Sequence, residues 1–135
     1  MEFNLSKQLI RSPSIPIDFE SIDGFNRYYI NREGIVLSTY MYNKPVVAIV
    51  DTSKYLRIKL VGNDGIRKTL LVHRLVALTF VHNPNPDKFK FVNHKDGNRL
   101  NNNDWNLEWC DRLYNNQHAS INRIYGASKR SIKVI

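Results

Sequence analysis

The chain has 135 residues, 42% hydrophobic and 11% aromatic, which fits one modest folded unit, or two very small ones sharing a core, and speaks against intrinsic disorder. Lys and Arg number 20 against 12 Asp and Glu, a formal charge of +8 that favours a polyanionic partner, nucleic acid first, although a basic surface alone decides little. The sole cysteine, Cys110, excludes an intramolecular disulfide and a zinc site of several thiolates. No apolar run is long enough for a bilayer, and the start MEFNLSKQLI lacks a secretory h-region, so a soluble intracellular protein is expected, with no membrane partner.

The first sixteen residues, with Pro13 and Pro16 in RSPSIP, read as a loosely held arm. From there to about residue 72 the pattern is strand-like. RYYINREGIVLST holds two β-prone runs around the turn-forming Asn31-Arg32-Glu33-Gly34, and KPVVAIV continues the series. In YLRIKLVGNDGIRKTLLV, Leu56, Ile58 and Leu60 alternate with Arg57 and Lys59 before GNDG turns the chain into a second strand. The pattern predicts a hairpin with one apolar and one basic face; phosphate contact and plain solvation of that face both remain open.

HRLVALTFV changes the period. Leu75, Val76, Leu78, Thr79 and Phe80 fall at helical spacing, ended by HNPNP. KFKFVNH predicts a short strand and NLEWC another, with Leu107 and Trp109 on one side. Between them lies KDGNRLNNNDW, whose Asn, Asp and Gly bond their own backbone in turns. DRLYNNQHASINRI predicts a helix capped by Asp111, with Leu113, Ala119 and Ile124 among its apolar positions. Beyond it runs a basic tail. Cys110, beside Trp109, is expected to be a buried structural thiol.

The order strand, polar loop, strand, helix lets Asn115, about one turn into the helix, face His94 across a small cleft. A histidine, an adjacent oxygen ligand and a helix amide suit a hard divalent cation, Mg²⁺ or Mn²⁺, beside a general base. A structural histidine at a strand end followed by an ordinary Asn-rich turn would leave the same spacing.

LLVHRLVALTFVHNPNP, FVNHKDGNRLNNNDWNLEW and NNQHA together resemble the phage-type HNH homing endonucleases, and FESIDGFNRYYINREGIVLST resembles the NUMOD4 module that precedes that nuclease domain. The resemblance covers roughly residues 19 to 119. It implies an α+β fold: a β-rich N-terminal module, 17–68, that contacts DNA, then a ββα-metal (His-Me finger) nuclease core, 69–119, with an arm at 1–16 and a basic tail at 120–135. It implies a metal-dependent endonuclease on double-stranded DNA, encoded by a phage and working in the cytoplasm of a bacterial host.

Within the resemblance His94 matches the general base, Asn93 and Asn115 the ligands of one divalent cation, and Asn106 the structural asparagine that holds the hairpin loop. Asn93 stands where such enzymes often have Asp, and its neutral amide is a weaker ligand, which leaves open a DNA-binding module that keeps the fold without chemistry. Asp96 is expected to organise the turn. His118 is a second candidate for the cleft, His73 an anchor or phosphate contact, and His82 exposed. Arg57, Lys59, Arg67, Lys68, Arg74 and Arg123 are candidate DNA contacts. Trp105 and Trp109 are assigned to packing, because stacking on bases needs an exposed ring. An RNA-binding β protein is the remoter reading, since no basic, aromatic-studded strand appears. About sixteen residues follow NNQHA, too few for a further helix-turn-helix, so specificity is expected from the β-rich half, the tail, DNA shape or a protein partner. A monomer that nicks is the simplest expectation.

Overall fold

The computed structural model describes residues 15–118 and residue 120. The chain up to residue 14 and the tail with Ile124 and Arg123 lie outside the described residues, as does Ala119. The architecture is mixed: small antiparallel sheets and two helices.

The first sheet holds β1 (Glu20–Ile22), β2 (Phe25–Ile30), β3 (Val36–Ser38) and β4 (Lys44–Pro45), in sequence order. The turn between β2 and β3 forms as its composition predicts. Asn31 folds its side-chain oxygen back to accept the backbone N–H groups of Glu33 at 3.1 Å and Ile35 at 2.9 Å. Gly34 takes the left-handed conformation at φ +89°, and Val72 and Asn102 crowd the space that a side chain there would need. Ile15 and Phe19 bury themselves against Tyr29 and Leu37 on this sheet.

KPVVAIV does not make one strand. Its start closes the first sheet as β4, and its end opens a second sheet as β5 (Ile49–Val50), which pairs with β6 (Leu56–Val61) and then β7 (Arg67–Leu71). The β6–β7 hairpin follows the alternation: Ile58 and Leu60 are buried while Arg57 and Lys59 point out. The register puts Lys59 opposite Thr69 and Val61 opposite Arg67 on the outer face, and Leu60 opposite Lys68 on the inner one. Arg67 and Lys68 are neighbours in a strand of period two, so the expected single basic face keeps Arg67 and loses Lys68, which reaches back to Asp64 at 3.7 Å.

α1 (Val72–Phe80) follows β7 without a gap. Its face of Val72, Leu75, Val76 and Ala77 is buried, whereas Leu78, expected in the apolar stripe, turns out to solvent. The last unit pairs β8 (Phe91–His94) with β9 (Leu107–Cys110), followed by α2, a helix over residues 112–118. Asp111 caps α2 by accepting the Tyr114 N–H at 2.8 Å. Leu113 is exposed rather than packed.

One core joins the front sheets to the back unit: Ile22, Ile30, Val36, Ile58 and Leu60 meet Val72, Val76, Val92 and Leu107. Full burial of a Leu or Ile side chain contributes about 1.5–3 kcal/mol. Polar ties add to it, with the Asp104 N–H donating to the Arg32 carbonyl at 2.8 Å and Arg32 pairing with the Asp104 carboxylate at 2.7 Å. Among the described residues no helix is long and apolar enough to cross a membrane.

Candidate active site

The Asn-rich loop between β8 and β9 is a self-bonded scaffold. Asp96, Asn98 and Asn101 each turn a side-chain oxygen to the backbone N–H two residues on, at 2.8, 3.0 and 3.4 Å. Asn106 closes the loop from the far side. Its Nδ2 donates to Asp96 Oδ1 and to the Asn101 carbonyl, both at 2.9 Å, and its Oδ1 accepts the Asp96 N–H at 3.1 Å. Both Asp96 oxygens are thereby engaged, the second by Asn101 Nδ2 at 2.9 Å. Burial opposes its ionisation, but the donors from Asn101, Asn98 and Asn106 outweigh that and hold the carboxyl below its usual range. Asp96 is committed to the turn.

This loop holds His94 at the end of β8, 5% exposed. Its Nε2 lies 2.9 Å from Asn102 Oδ1. The His73 ring sits 4.8 Å away and the Tyr55 ring 6.1 Å, with Tyr55 stacked on His73 at 5.1 Å. Burial is the main reason that His94 is held below the ordinary histidine range; the Arg99 charge adds to it, while Asn102 and Asp96 oppose it. A ring so placed is neutral near pH 7, the form that accepts a proton. Burial likewise pushes His73 down to about 3, with His94 and Arg74 adding, so this histidine is a packed, uncharged ring. Arg99 lies over Tyr55 at 4.8 Å and donates to the Ser53 carbonyl at 2.8 Å, at the edge of the same cluster.

Asn93, next to His94, is buried, and its Nδ2 donates to Glu108 at 2.9 Å across the β8–β9 pair. Its Oδ1 is the atom left for another partner. The Tyr114 hydroxyl also bonds Glu108, and that bond raises the Tyr114 pKa. His118 meets the Lys95 carbonyl at 3.2 Å, so α2 lies against the end of β8. Asn115 is half-buried on that helix. Among the described residues no three His, Cys, Asp or Glu side chains gather around a common point, so a cation here would rest on amide oxygens. Buried Cys110 has its thiol pushed up to about 11, by burial first and then by Glu108 and Asp111, which makes it inert.

The other sequence candidates fare unevenly. Arg57 is paired with Asp51, leaving Lys59 and Arg67 as the open cations of the outer hairpin face. Arg74 donates to the Lys90 carbonyl at 2.9 Å and covers the Trp109 ring, an internal role. Trp109 packs as expected and donates to the Val81 carbonyl at 3.1 Å. Trp105 does not: it is 65% exposed, because the turn Asp104–Asn106 points Asn106 into the loop and so its neighbour outward. Asn102, Tyr55 and Glu108 are the residues that sequence reasoning missed. The only signal for Glu108 was its place opposite Asn93 once the two strands are paired.

No family model matches the chain. An uncharacterized HNH endonuclease of Acanthamoeba polyphaga mimivirus is 34% identical over 130 residues, 96% of this chain and 31% of that protein. A second HNH endonuclease of the same virus is 38% identical over 72% of the chain and 28% of its own length. An SPbeta prophage-derived protein of Bacillus subtilis, named as an HNH homing endonuclease, is 35% identical over 68% of the chain and 51% of its own length. The chain thus spans between about a quarter and a half of the curated relatives it matches. Among solved structures, that of the HNH homing endonuclease I-HmuI, described for its DNA binding and cleavage, matches with a TM-score of 0.66 at 28% identity, over 87% of this chain and 66% of the other. In sequence and in fold this is an HNH-endonuclease-like chain.

Proposed function

We propose that the chain hydrolyses phosphodiester bonds in duplex DNA as the nuclease part of a homing endonuclease, with residues 17–68 as a NUMOD4-like module and 69–119 as the ββα nuclease core. The observation that carries this reading is His94: a neutral, buried imidazole held at a strand end by Asn102 and two aromatic rings, in a loop stapled by Asn106. Nothing in core packing requires so polar a loop around one histidine.

In the proposed reaction the water oxygen attacks phosphorus while one water proton passes to His94. The bond from phosphorus to the leaving deoxyribose oxygen breaks, and that oxygen takes a proton from solvent. Asn93 and Asn115 are the residues for a divalent cation, Mg²⁺ or Mn²⁺. The donor set fits: Glu108 takes the Asn93 N–H, so the amide presents its oxygen, and the Glu108 carboxylate adds negative charge beside a neutral ligand. Bound there, the cation would supply positive charge to the scissile phosphate and leaving oxygen.

Lys59 and Arg67 are proposed to hold the DNA backbone, with Arg57, Lys68 and Arg74 in lesser roles because each already has an internal partner. A monomer cutting one strand at a time, inside a host cell, completes the reading. The test is a supercoiled-plasmid assay of wild type and His94→Ala with Mg²⁺, with Mn²⁺ and with chelator. Open circles that need metal and vanish in the variant support it. Uncut DNA in every lane, with salt-sensitive binding on a gel, would replace it with a DNA-binding module that keeps the fold without chemistry.

A further inference from the structure

We infer that Glu108 is itself a ligand of the divalent cation, the one carboxylate in a donor set whose other members, Asn93 and Asn115, are neutral amides. The inference rests on the cation proposed above and goes past Glu108 as the group that orients Asn93. A hard cation such as Mg²⁺ or Mn²⁺ is held through oxygen, usually with one or two carboxylates among its ligands. The hairpin, its loop and the start of α2 carry the carboxylates of Asp96, Asp104, Glu108 and Asp111, and three of these have other work. Asp96 has both oxygens in the turn, Asp104 pairs with Arg32 at 2.7 Å, and Asp111 caps α2. Glu108 is left.

Its bonds tie it to both amide elements. Asn93, directly opposite on the paired strand, donates to Glu108 Oε1 at 2.9 Å. From α2 the Tyr114 hydroxyl bonds the same carboxylate, and Tyr114 is the residue just before Asn115. Two bonds leave a carboxylate about half of its acceptor capacity. Glu108 is half-buried, and no Lys or Arg of the described residues pairs with it, in a chain that holds 20 of them. A carboxylate partly withdrawn from water without a counter-charge is costly, and a bound cation removes that cost. Asn93 is 6% exposed, and its Oδ1 has no partner among the described residues, so two opposed residues each hold acceptor capacity to spare.

The test is Mn²⁺ binding by the full chain without DNA, read by calorimetry and by electron paramagnetic resonance of the free ion, in wild type, Glu108→Gln and Glu108→Asp. Gln keeps an oxygen that accepts the Asn93 and Tyr114 hydrogens and loses only the charge. Wild type should bind a single ion, the Gln variant should bind it at least about tenfold more weakly, and the Asp variant should fall between them. Added Mg²⁺ should also shift the carboxylate infrared band of wild type labelled with ¹³C-glutamate, and should leave that of the Gln variant in place. Equal Mn²⁺ affinity in wild type and the Gln variant overturns the inference, as does a wild type that binds no ion. If the Gln variant does not fold, the wild-type infrared spectrum decides: a shifted glutamate band upholds the inference and an unmoved one overturns it. DNA left uncut by a chain whose ion depends on Glu108 would instead refute the nuclease reading and leave the ligand in place.

Discussion

The buried ring of His73 gives the fold a specific weakness toward acid. In the unfolded chain this histidine takes up a proton near 6.5, and in the fold only near 3. Between those values the unfolded state binds more protons, so stability rises with pH across the window and falls as the medium is acidified through it. A pH near 5 lies about 1.5 units below the unfolded value and still above the folded one, and at about 1.4 kcal/mol per unit the loss is roughly 2 kcal/mol. The groups facing it are the rings of Tyr55 and His94 and the charge of Arg74. His94 shifts in the same direction and adds to the total, so the difference has to be isolated. Urea unfolding of wild type and His73→Phe, at about pH 7.5 and about pH 5, does this: the variant keeps a ring in the stack and removes the titration. Wild type should lose about 2 kcal/mol more than the variant on acidification. Equal losses in the two proteins would refute a buried, uncharged His73.

Four further outcomes are expected. Gly34→Ala should destabilise by about 1–3 kcal/mol in chemical denaturation, because its Cβ would meet Val72 Cγ1 at 2.9 Å in a left-handed turn. Leu60→Ala, at a fully buried site, should cost about 2–5 kcal/mol in the same measurement. Trp105→Ala should change stability by no more than about 0.5 kcal/mol, as befits an exposed ring; a larger loss would mean that the ring is packed. Asn93→Asp should tighten Mn²⁺ binding in calorimetry if Asn93 is a ligand as proposed, since it sets a second carboxylate beside Glu108 and a cation relieves their repulsion; unchanged binding would count against Asn93 as a ligand.

The sequence revealed the parts whose pattern is local. Alternation from Leu56 to Leu60 set the hairpin and its buried face, the Asn31–Gly34 turn had its chemistry written in order, and Asp111 was legible as a cap. It failed where the answer depends on a partner distant in sequence. Asn101, Asn102 and Asn103 are indistinguishable as letters, and only the closed loop shows that the middle one turns inward to His94. Tyr55 reads as a strand residue until α1 brings His73 to its face. Lys68 looked equivalent to Arg67 although the pleat separates them, and Trp105 and Leu78 carried apolar identity without an apolar neighbour to cover them. KPVVAIV is divided between two sheets, its Lys44–Pro45 pairing with β3 and its Ile49–Val50 with β6, partners that lie on either side of it in the sequence.

The crowding at Gly34 has a bearing on ancestry. A methyl group there would press at once on Val72 at the head of α1 and on Asn102 beside His94. The turn of the front sheet and the loop between β8 and β9 thus fit against each other to tolerances below the size of one carbon atom. Recombination that joined a front sheet from one lineage to a β8–β9 unit from another would have to bring a matching turn with it. Shuffled descendants should therefore inherit the two as a single cassette, with freer exchange confined to whatever lies outside it.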